Sequence, residues 1–212
     1  MGVETSGKRG GVALVSAHEA QELVVPMGRE GGENLPLAVE SLLRLAHADQ
    51  RAIELVAVDI GPGSFTGLRV GVAFAKGMAQ ALSIPVVGVR QTEAVARPLA
   101  WWPGRVAVWI HDRREFVYVA WASRDRVGAE TVLPWQEALA KAAEGSGTLV
   151  VGSGVEEFRT EIAAATPAIV CASPELAYPR PSAIARLGWA RYEEVGAEDP
   201  KQLEPHYVHK EV

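Results

Sequence analysis

The sequence predicts an α/β protein in which a mixed sheet is flanked by helices, with a second, smaller lobe after residue 100. Short β-branched runs separated by turns open the chain, and apolar helices and strands then alternate. A buried strand, Leu55–Ile60, meets a Gly-Pro-Gly turn that leads into a long apolar helix. Trp101–Gly104 then breaks the pattern before a new hairpin begins. We therefore expect a lobe over 1–100 and a second lobe over 101–180.

The first lobe begins with three short strands joined by tight connections, which is typical of an antiparallel meander. A helix, a buried strand, a second helix and a further strand follow. This order is that of the ribonuclease-H-like half-unit of the actin, sugar kinase and Hsp70 superfamily. The predicted strands are 2–5, 12–15, 21–25, 54–60 and 84–89, and the predicted helices are 33–46 and 66–82.

A short helix over 91–99 precedes the predicted boundary between the lobes. Alternating apolar side chains in Phe116–Ala122, after the run Val106–Ile110, indicate a hairpin. The remaining predicted elements are helices at 134–143 and 155–165, strands at 148–151 and 168–171, a final helix at 182–195 and a polar tail at 196–212. For the final helix, packing back onto the first lobe is left open as an alternative.

Both predicted helices of the first lobe carry more apolar surface than one core covers, since a surface helix normally has a single apolar stripe. The second helix also repeats a small residue every fourth position, at Gly67, Gly71, Ala75 and Ala79. Such a ridge lets a partner helix approach closely, and apolar packing then drives association. We expect these residues at an interface with a second subunit: Leu35, Ala38, Leu42, Leu45, Ser64, Phe65, Thr66, Gly67, Val70, Gly71, Phe74 and Ala75.

Composition limits the classes of function. The net charge of −5 does not favour nucleic acid as a direct partner, and four arginines near the hairpin are expected on a solvated face. The single cysteine, Cys171, excludes an internal disulfide and is expected to pack as a small core residue. No apolar run approaches the roughly 20 residues of a membrane span, and the N-terminus lacks a leader pattern. A cytoplasmic location is therefore expected.

The glycine-rich turn at Gly61–Gly67 is the first candidate for chemistry, because such turns hold phosphates at helix N-termini. No Lys-Ser or Lys-Thr follows the last glycine, so it is not a Walker A loop, and tight backbone packing is favoured. Glu4, Thr5 and Ser6 stand where nucleotide-using members of the superfamily hold metal and phosphate. They are kept as vestigial candidates, with the capping of a short edge strand as the favoured interpretation.

No residue is assigned a catalytic or metal-binding role. The five histidines include no His-x-x-x-His pair, and His206 and His209 are interpreted as solvated residues of the tail rather than as a structural metal site. The sequence also lacks the Gly-x-Ser-x-Gly elbow of hydrolases.

The stretch Gly61–Gly77, in which Gly-Pro-Gly-Ser-Phe-Thr-Gly-Leu-Arg opens a helix rich in glycine and alanine, resembles the signature of the TsaB (YeaZ) family. The similarity continues in Asp112–Tyr118, in Val150–Gly154 and in Glu204–Val208. It implies two ribonuclease-H-like lobes. It further implies a role, without catalysis, in forming N6-threonylcarbamoyladenosine at position 37 of tRNA.

The resemblance also implies partners. Proteins of this family pair with TsaD, which carries the catalytic metal site, help to recruit the ATPase TsaE, and form homodimers when alone. The resemblance implies that the chain has no resident cofactor and that ATP or ADP could bind only at the contact with the partner subunit. It also implies that contact with tRNA is indirect. Two alternatives stay open. One is a metalloprotease, as in older glycoprotease names, and the other is a small-molecule kinase or ATPase that pairs Glu4 with Asp59 or Asp112.

Overall fold

The computed structural model describes residues 1–27, 34–145, 147–165 and 169–208. The predicted start of the first helix at residue 33 and the interpretation of His209 lie outside these residues. The chain divides into two compact units. The first contains Met1–Ala94 and Pro179–His206, and the second contains Val95–Tyr178 and the described residues from Tyr207 onward.

The first unit is built on a five-stranded mixed sheet with two helices on one face and one on the other. Its elements are β1 (Gly2–Glu4), β2 (Arg9–Val15), β3 (Ala20–Pro26), α1 (Leu35–Leu45), β4 (Val56–Gly61), α2 (Phe65–Leu82) and β5 (Val86–Arg90). The strand order is β3-β2-β1-β4-β5. β1 lies between β2, which is antiparallel to it, and β4, which is parallel to it. β1 is therefore the central strand, and its interpretation as an edge strand was wrong.

The second unit repeats this topology. After α3 (Gln91–Ala96), its elements are β6 (Val106–His111), β7 (Phe116–Ala122), β8 (Thr131–Pro134), α4 (Trp135–Ala143), β9 (Thr148–Val151), α5 (Ser153–Glu157), α6 (Arg159–Ala165) and β10 (Ile169–Cys171). The last helix of the chain, α7 (Pro181–Val195), belongs to the first unit. The strand order is β10-β9-β6-β7-β8. Two mixed sheets of the same order, each flanked by helices, confirm the predicted ribonuclease-H-like fold class.

Two predictions in the second unit need correction. β8 was missed because a run of four residues that ends in proline is too short to show an alternating pattern. The single helix predicted over 155–165 is two helices, because the backbone leaves the helical region at Phe158, where φ is −108°. With β8 included, both units contain an antiparallel meander followed by a helix and a parallel strand.

The side chains of β1 and β4 alternate between two hydrophobic cores. Val3 and Val58 pack with α1 and α2 on one face of the sheet, whereas Ala57 packs with Ile184 of α7 on the other. α7 approaches so closely that a Cβ at Gly2 would overlap the carbonyl oxygen of Pro181. The alternation follows from the two-residue period of a strand, and it fixes which helices cover each face.

The start of α7 is held by Glu22 on β3. The backbone N–H of Ser182 donates to Glu22 Oε2 at 3.1 Å, and the Arg180 guanidinium pairs with the same carboxylate. Burial alone raises the pKa of Glu22, but the bonds from Ser182 and Arg180 outweigh it, so that the pKa is lowered. An acid at a helix N-terminus also complements the helix dipole.

The segment 196–206 after α7 belongs to the first unit and is not simply a polar tail. Leu203 is buried in the core shared by α1 and α2, and its carbonyl accepts a hydrogen bond from Lys76 Nζ at 3.1 Å. The Glu198 carboxylate accepts from the N–H of Gly88 at 2.9 Å, and the N–H of His206 donates to the carbonyl of Ile60 at 2.7 Å. The segment therefore covers the β5 edge of the sheet, which would otherwise expose unpaired backbone groups.

Replacing Leu203 by alanine is expected to lower the free energy of unfolding by about 2–5 kcal/mol, because a buried leucine side chain is lost and a cavity remains. Urea denaturation followed by circular dichroism would measure the change. Lys201→Ala, in the same segment but exposed, is the matched control and should change stability by less than about 0.5 kcal/mol. Equal effects of both changes would show that the segment is not anchored through Leu203.

Candidate functional site

The outward face of α1 carries large apolar side chains that the lobe does not cover. Leu37 and Leu45 are 61% and 67% exposed, although they belong to the same helix as the buried Leu35, Ala38 and Leu42. Leu37 and Leu45 are eight residues apart, so they lie on one side of the helix. α1 therefore has two apolar faces, one in the core and one in contact with solvent.

The outward face of α2 combines one large ring with a ridge of small residues. Phe65 is 55% exposed, and the Arg69 guanidinium lies 3.8 Å from the centre of its ring. Further along the helix Ala73, Gly77 and Ala81 are exposed at a spacing of four. A Cβ at Gly77 would have no neighbouring atom within 4 Å. We call Leu37, Leu45, Phe65, Ala73 and Gly77 the outer helix face.

The structure corrects part of the predicted interface. Ser64, Phe65, Thr66 and Leu45 are exposed, and Gly67, Val70 and Phe74 are half-buried. The others are buried within the first unit and offer no surface to a second chain: Leu35, Ala38, Leu42, Gly71 and Ala75. Leu37, Ala73 and Gly77, which are exposed on the same two helices, were not among the predicted residues. The spacing of four residues along α2 could have indicated Ala73 and Gly77. The ridge of Gly67, Gly71, Ala75 and Ala79, which we call the inward ridge, has the same spacing, so the spacing alone does not distinguish the two.

The inward ridge of α2 packs against the turn between β1 and β2. A Cβ at Gly67 would overlap the carbonyl oxygen of Thr5, and a Cβ at Gly71 would overlap its hydroxyl. The Thr5 hydroxyl donates to the carbonyl of Gly67 at 2.7 Å. The small residues thus bring α2 against its own lobe, and the expectation that they admit a partner helix was wrong.

Behind this turn two carboxyl groups are buried side by side. Ser6 Oγ lies 2.7 Å from Glu4 Oε1 and 2.8 Å from Asp59 Oδ2. Glu4 Oε1 also accepts from the N–H of Ser6 at 2.7 Å, and Asp59 Oδ1 accepts from the N–H of Gly61 at 2.6 Å. Glu4 ends β1, and Asp59 lies near the end of β4, which runs parallel beside it, which is why they converge.

Burial raises the pKa of Glu4 well above its usual range, and the charge of Asp59 raises it further. Burial also raises the pKa of Asp59, although its hydrogen bonds oppose that change. Ser6 Oγ has one proton but lies within hydrogen-bond distance of both acids. A proton retained on one carboxyl completes both bonds and relieves the repulsion between the two charges. The pair is therefore suited to holding the strand ends together.

Backbone amides at the start of α2 make hydrogen bonds within the lobe. Ser64, between β4 and α2, donates its N–H to the carbonyl of Ser6, in the turn after β1, at 2.8 Å. The N–H of Gly67 donates to the Ser64 hydroxyl at 3.2 Å. A Cβ at Gly63 would lie 2.8 Å from the Ser6 carbonyl oxygen. Two amides at the start of α2 are thus bonded within the lobe, beside two acids.

The remaining candidates belong to the second unit. Asp112 belongs to the second unit, where it accepts a hydrogen bond from Tyr118, and burial together with Asp112 raises the pKa of Tyr118 to about 12. Cys171 is half-buried, and burial raises the pKa of its thiol. The four arginines form two pairs at opposite ends of β7: Arg113 and Arg114, and Arg124 and Arg126.

The described residues contain neither a group of side chains placed to bind a metal ion nor a helix suited to crossing a membrane. No three His, Cys, Asp or Glu side chains in that part of the chain could hold a metal ion. No helix there combines the length and apolar character that a membrane span requires.

Replacing Glu4 by glutamine is expected to flatten the pH dependence of stability. The folded-state pKa of Glu4 is raised, so this acid stabilises the fold below its ordinary value near 4.5, and that contribution is lost as the pH rises through the folded-state pKa. Each unit of difference between the folded and unfolded pKa changes the free energy of unfolding by about 1.4 kcal/mol. Urea unfolding of both proteins at several pH values between 4 and 8 would measure how this free energy depends on pH. Parallel curves of unfolding free energy against pH would contradict a raised pKa of Glu4.

A matched pair of glycine substitutions tests which ridge of α2 faces inward. Gly67→Ala is expected to cost about 1–3 kcal/mol, because its Cβ meets backbone that cannot rotate away. Gly77→Ala is expected to stabilise the chain by roughly 0.5–1 kcal/mol, since it removes a flexible residue from an open helix position. Thermal unfolding of both variants is the measurement. A stabilising Gly67→Ala would contradict the packing described.

Comparison with known proteins identifies a family. The family model described as TsaD, tRNA N6-adenosine threonylcarbamoyltransferase, matches residues 16–186. An uncharacterized protein of Mycobacterium tuberculosis is 32% identical over 89% of this chain and 80% of its own length. The threonylcarbamoyladenosine biosynthesis protein TsaB of Bacillus subtilis is 28% identical over 66% of this chain and 61% of its own length. The tRNA N6-adenosine threonylcarbamoyltransferase of Geotalea daltonii is 40% identical over 82 residues, and the chain spans only 24% of that enzyme.

Solved structures show the same relationship over the whole chain. A Pseudomonas aeruginosa protein described as similar to the peptidase YEAZ matches with a TM-score of 0.81 at 25% identity, over 98% of this chain and 97% of its own. YeaZ of Pseudomonas aeruginosa shares the fold, with a TM-score of 0.79 at 22% identity over 97% of each chain. These matches confirm the resemblance to TsaB (YeaZ) read from Gly61–Gly77. The chain belongs to the tRNA N6-adenosine threonylcarbamoyltransferase (TsaD) family, within which its full-length likeness is to YeaZ.

Proposed function

We propose that the chain is a non-catalytic partner subunit needed to form N6-threonylcarbamoyladenosine at position 37 of tRNA. In this role it binds TsaD, the catalytic subunit, and helps to recruit TsaE. The likeness over 98% of the chain to a Pseudomonas protein described as similar to YEAZ, and the name of the Bacillus relative, support the pathway. The outer helix face supports the role of a binding partner, and it is the observation on which the proposal rests.

The outer helix face has the chemistry of a protein interface. Leu37, Leu45 and Phe65 supply large apolar groups, while Ala73 and Gly77 leave room for a second backbone to approach. Burial of such groups between subunits supplies association energy. Because the TsaD family model matches this chain, TsaD would present a helix pair of the same kind. A heterodimer would then resemble the two-fold homodimer that we propose for the chain alone.

The remaining parts of the proposal concern ligands and location. The chain holds no cofactor of its own, and ATP or ADP binds only at the contact with TsaD. Contact with tRNA is indirect, which is supported by the net charge of −5 and by the arginine pairs at opposite ends of β7. The complex acts in the cytoplasm. Neither alternative, a metalloprotease or a small-molecule kinase, is favoured by a specific observation.

Charge placed on the outer helix face tests the proposal. The double substitution Leu37→Asp with Leu45→Asp should weaken TsaD binding at least about tenfold, because each acid would have to be desolvated at the interface. Isothermal titration of TsaD into purified chain measures binding, and light scattering measures the homodimer. Val195→Asp, at an exposed position on α7 across the sheet, is the matched control.

The outcome separates a subunit from a free-standing protein. Unchanged stability of the double variant in urea establishes that it still folds. If that variant then binds TsaD and self-associates like the unmodified chain, the outer helix face is not the interface. If the unmodified chain shows no TsaD binding at all, the role as a partner subunit is refuted.

A further inference from the structure

One end of the second unit carries a large exposed aromatic ring. Among the described Phe, Trp and Tyr side chains, Trp101 is the most exposed, at 68%. Its ring meets that of Trp102 edge to face, with the ring centres 5.7 Å apart. Trp102 packs against the core of this unit, and its indole N–H donates to the carbonyl of Gly147 at 3.0 Å. Trp101 therefore rests on a neighbour whose position is fixed, so a partner that covers it loses little side-chain entropy.

A stacked arginine lies beside this pair of rings. Arg105 directly precedes β6, and its guanidinium lies 4.5 Å from the centre of the Trp121 ring on β7. The same guanidinium donates to the carbonyl of Lys141 at 3.1 Å. A Cβ at Gly145 would lie 3.0 Å from it, so Arg105 packs against the same connection between α4 and β9 to which Trp102 bonds. The plane of this guanidinium is thus held by its neighbours.

Two further arginines are at the same end of the unit. Val106, at the start of β6, pairs with Ala122, at the end of β7. The turn that follows β7, with Arg124 and Arg126, therefore lies at the end of the sheet where Arg105 enters it. All three arginines are exposed. Positive charge is gathered here in a chain whose net charge is −5.

We propose that Trp101, Arg105, Arg124 and Arg126, which we call the tryptophan–arginine surface, bind a protein partner that presents an apolar side chain flanked by carboxylates. Tryptophan and arginine are among the residue types most enriched at binding hot spots. A guanidinium held flat by an aromatic ring can pair with a carboxylate through two parallel N–H donors. The surface belongs to the second unit, whereas the outer helix face belongs to the first, so the inference goes beyond the proposed pairing with TsaD.

The mixture of charges favours a protein over RNA as the partner. Asp125 lies between the two arginines of the turn, and Glu144 precedes Gly145, which packs against Arg105. Acids among the arginines repel a run of phosphates, whereas a protein can place a neutral or basic group opposite each acid. The negative net charge of the chain also disfavours a polyanion.

Two matched peptides test the chemistry of the partner. The probe is the blocked peptide Glu-Glu-Leu-Glu-Glu-Leu-Glu-Glu, and its counterpart has glutamine at every glutamate. Binding to the full chain is measured from the indole N–H signals in NMR spectra, with the Trp101 signal assigned by its loss in Trp101→Phe. The acidic peptide should bind at least about tenfold more tightly, because only carboxylates pair with the guanidinium groups. It should also shift the Trp101 signal.

Charge reversal at the two ends of β7 provides matched variants. Arg124→Glu with Arg126→Glu should weaken binding of the acidic peptide at least about tenfold, because attraction becomes repulsion. Arg113→Glu with Arg114→Glu makes the same change of charge at the other end of β7 and should change binding by less than about twofold. All four positions are exposed, so both variants should unfold in urea like the unmodified chain.

Three outcomes would overturn the proposal. The first is equal binding of the two peptides, and the second is an equal effect of the two double variants. The third is tighter binding of an oligonucleotide of about ten uridines than of the acidic peptide, which would assign the surface to RNA. TsaD binding should be unchanged by Arg124→Glu with Arg126→Glu, so a failure here is distinguishable from a failure of the outer helix face. Loss of TsaD binding in that variant would refute a separate partner.

Discussion

The first unit depends on one close contact, between the inward ridge of α2 and the turn after β1. Gly67 and Gly71 leave no room for a side chain there, and the Thr5 hydroxyl joins the two elements by donating to the Gly67 carbonyl. The contact fixes the rotation of α2 about its axis. Gly71 and Gly77 point about 120° apart on a helix, so seating the first against Thr5 directs the second outward. Close packing inside the lobe thus determines the surface offered to a partner.

The second unit makes a similar contact with different residues. A Cβ at Gly152 would overlap the carbonyl oxygen of Trp109 on β6, and one at Gly154 would lie 3.0 Å from the Trp109 Cβ. The N–H of His111 donates to the hydroxyl of Ser153, the first residue of α5, at 3.0 Å, so this serine binds the end of β6. In both units, glycines let the segment that follows a parallel strand pack closely against the central strand or the turn after it. The two units share a topology although the sequence shows no repeat. The contact requires only that two stretches of backbone approach closely, which glycines allow in different surrounding sequences.

The sequence was sufficient for the parts of the fold that depend on local pattern. The strand before Gly61 and the helix after it follow from an apolar run, a turn and a capping serine, and the structure contains all three. The inward face of α2 could not be predicted, because Gly71 and Gly77 are the same residue type and only Thr5 distinguishes their positions. Leu203 was placed in a polar tail for a related reason. Its burial depends on a core formed by residues distant in sequence, which no local pattern records.

The buried acids at the end of β1 hold the strand from which the chain leads toward α2. Two carboxyls in a dry site are costly unless each is hydrogen-bonded and one keeps a proton. Ser6 bridges Glu4 and Asp59, and Asp59 also holds the N–H of Gly61. These bonds are directional, so they fix the ends of β1 and β4 relative to each other, which apolar packing alone would leave less defined. α2 starts from that fixed edge, with Phe65 in its first turn and exposed. Residue types suited to phosphate chemistry thereby act here as a rigid base for the outer helix face.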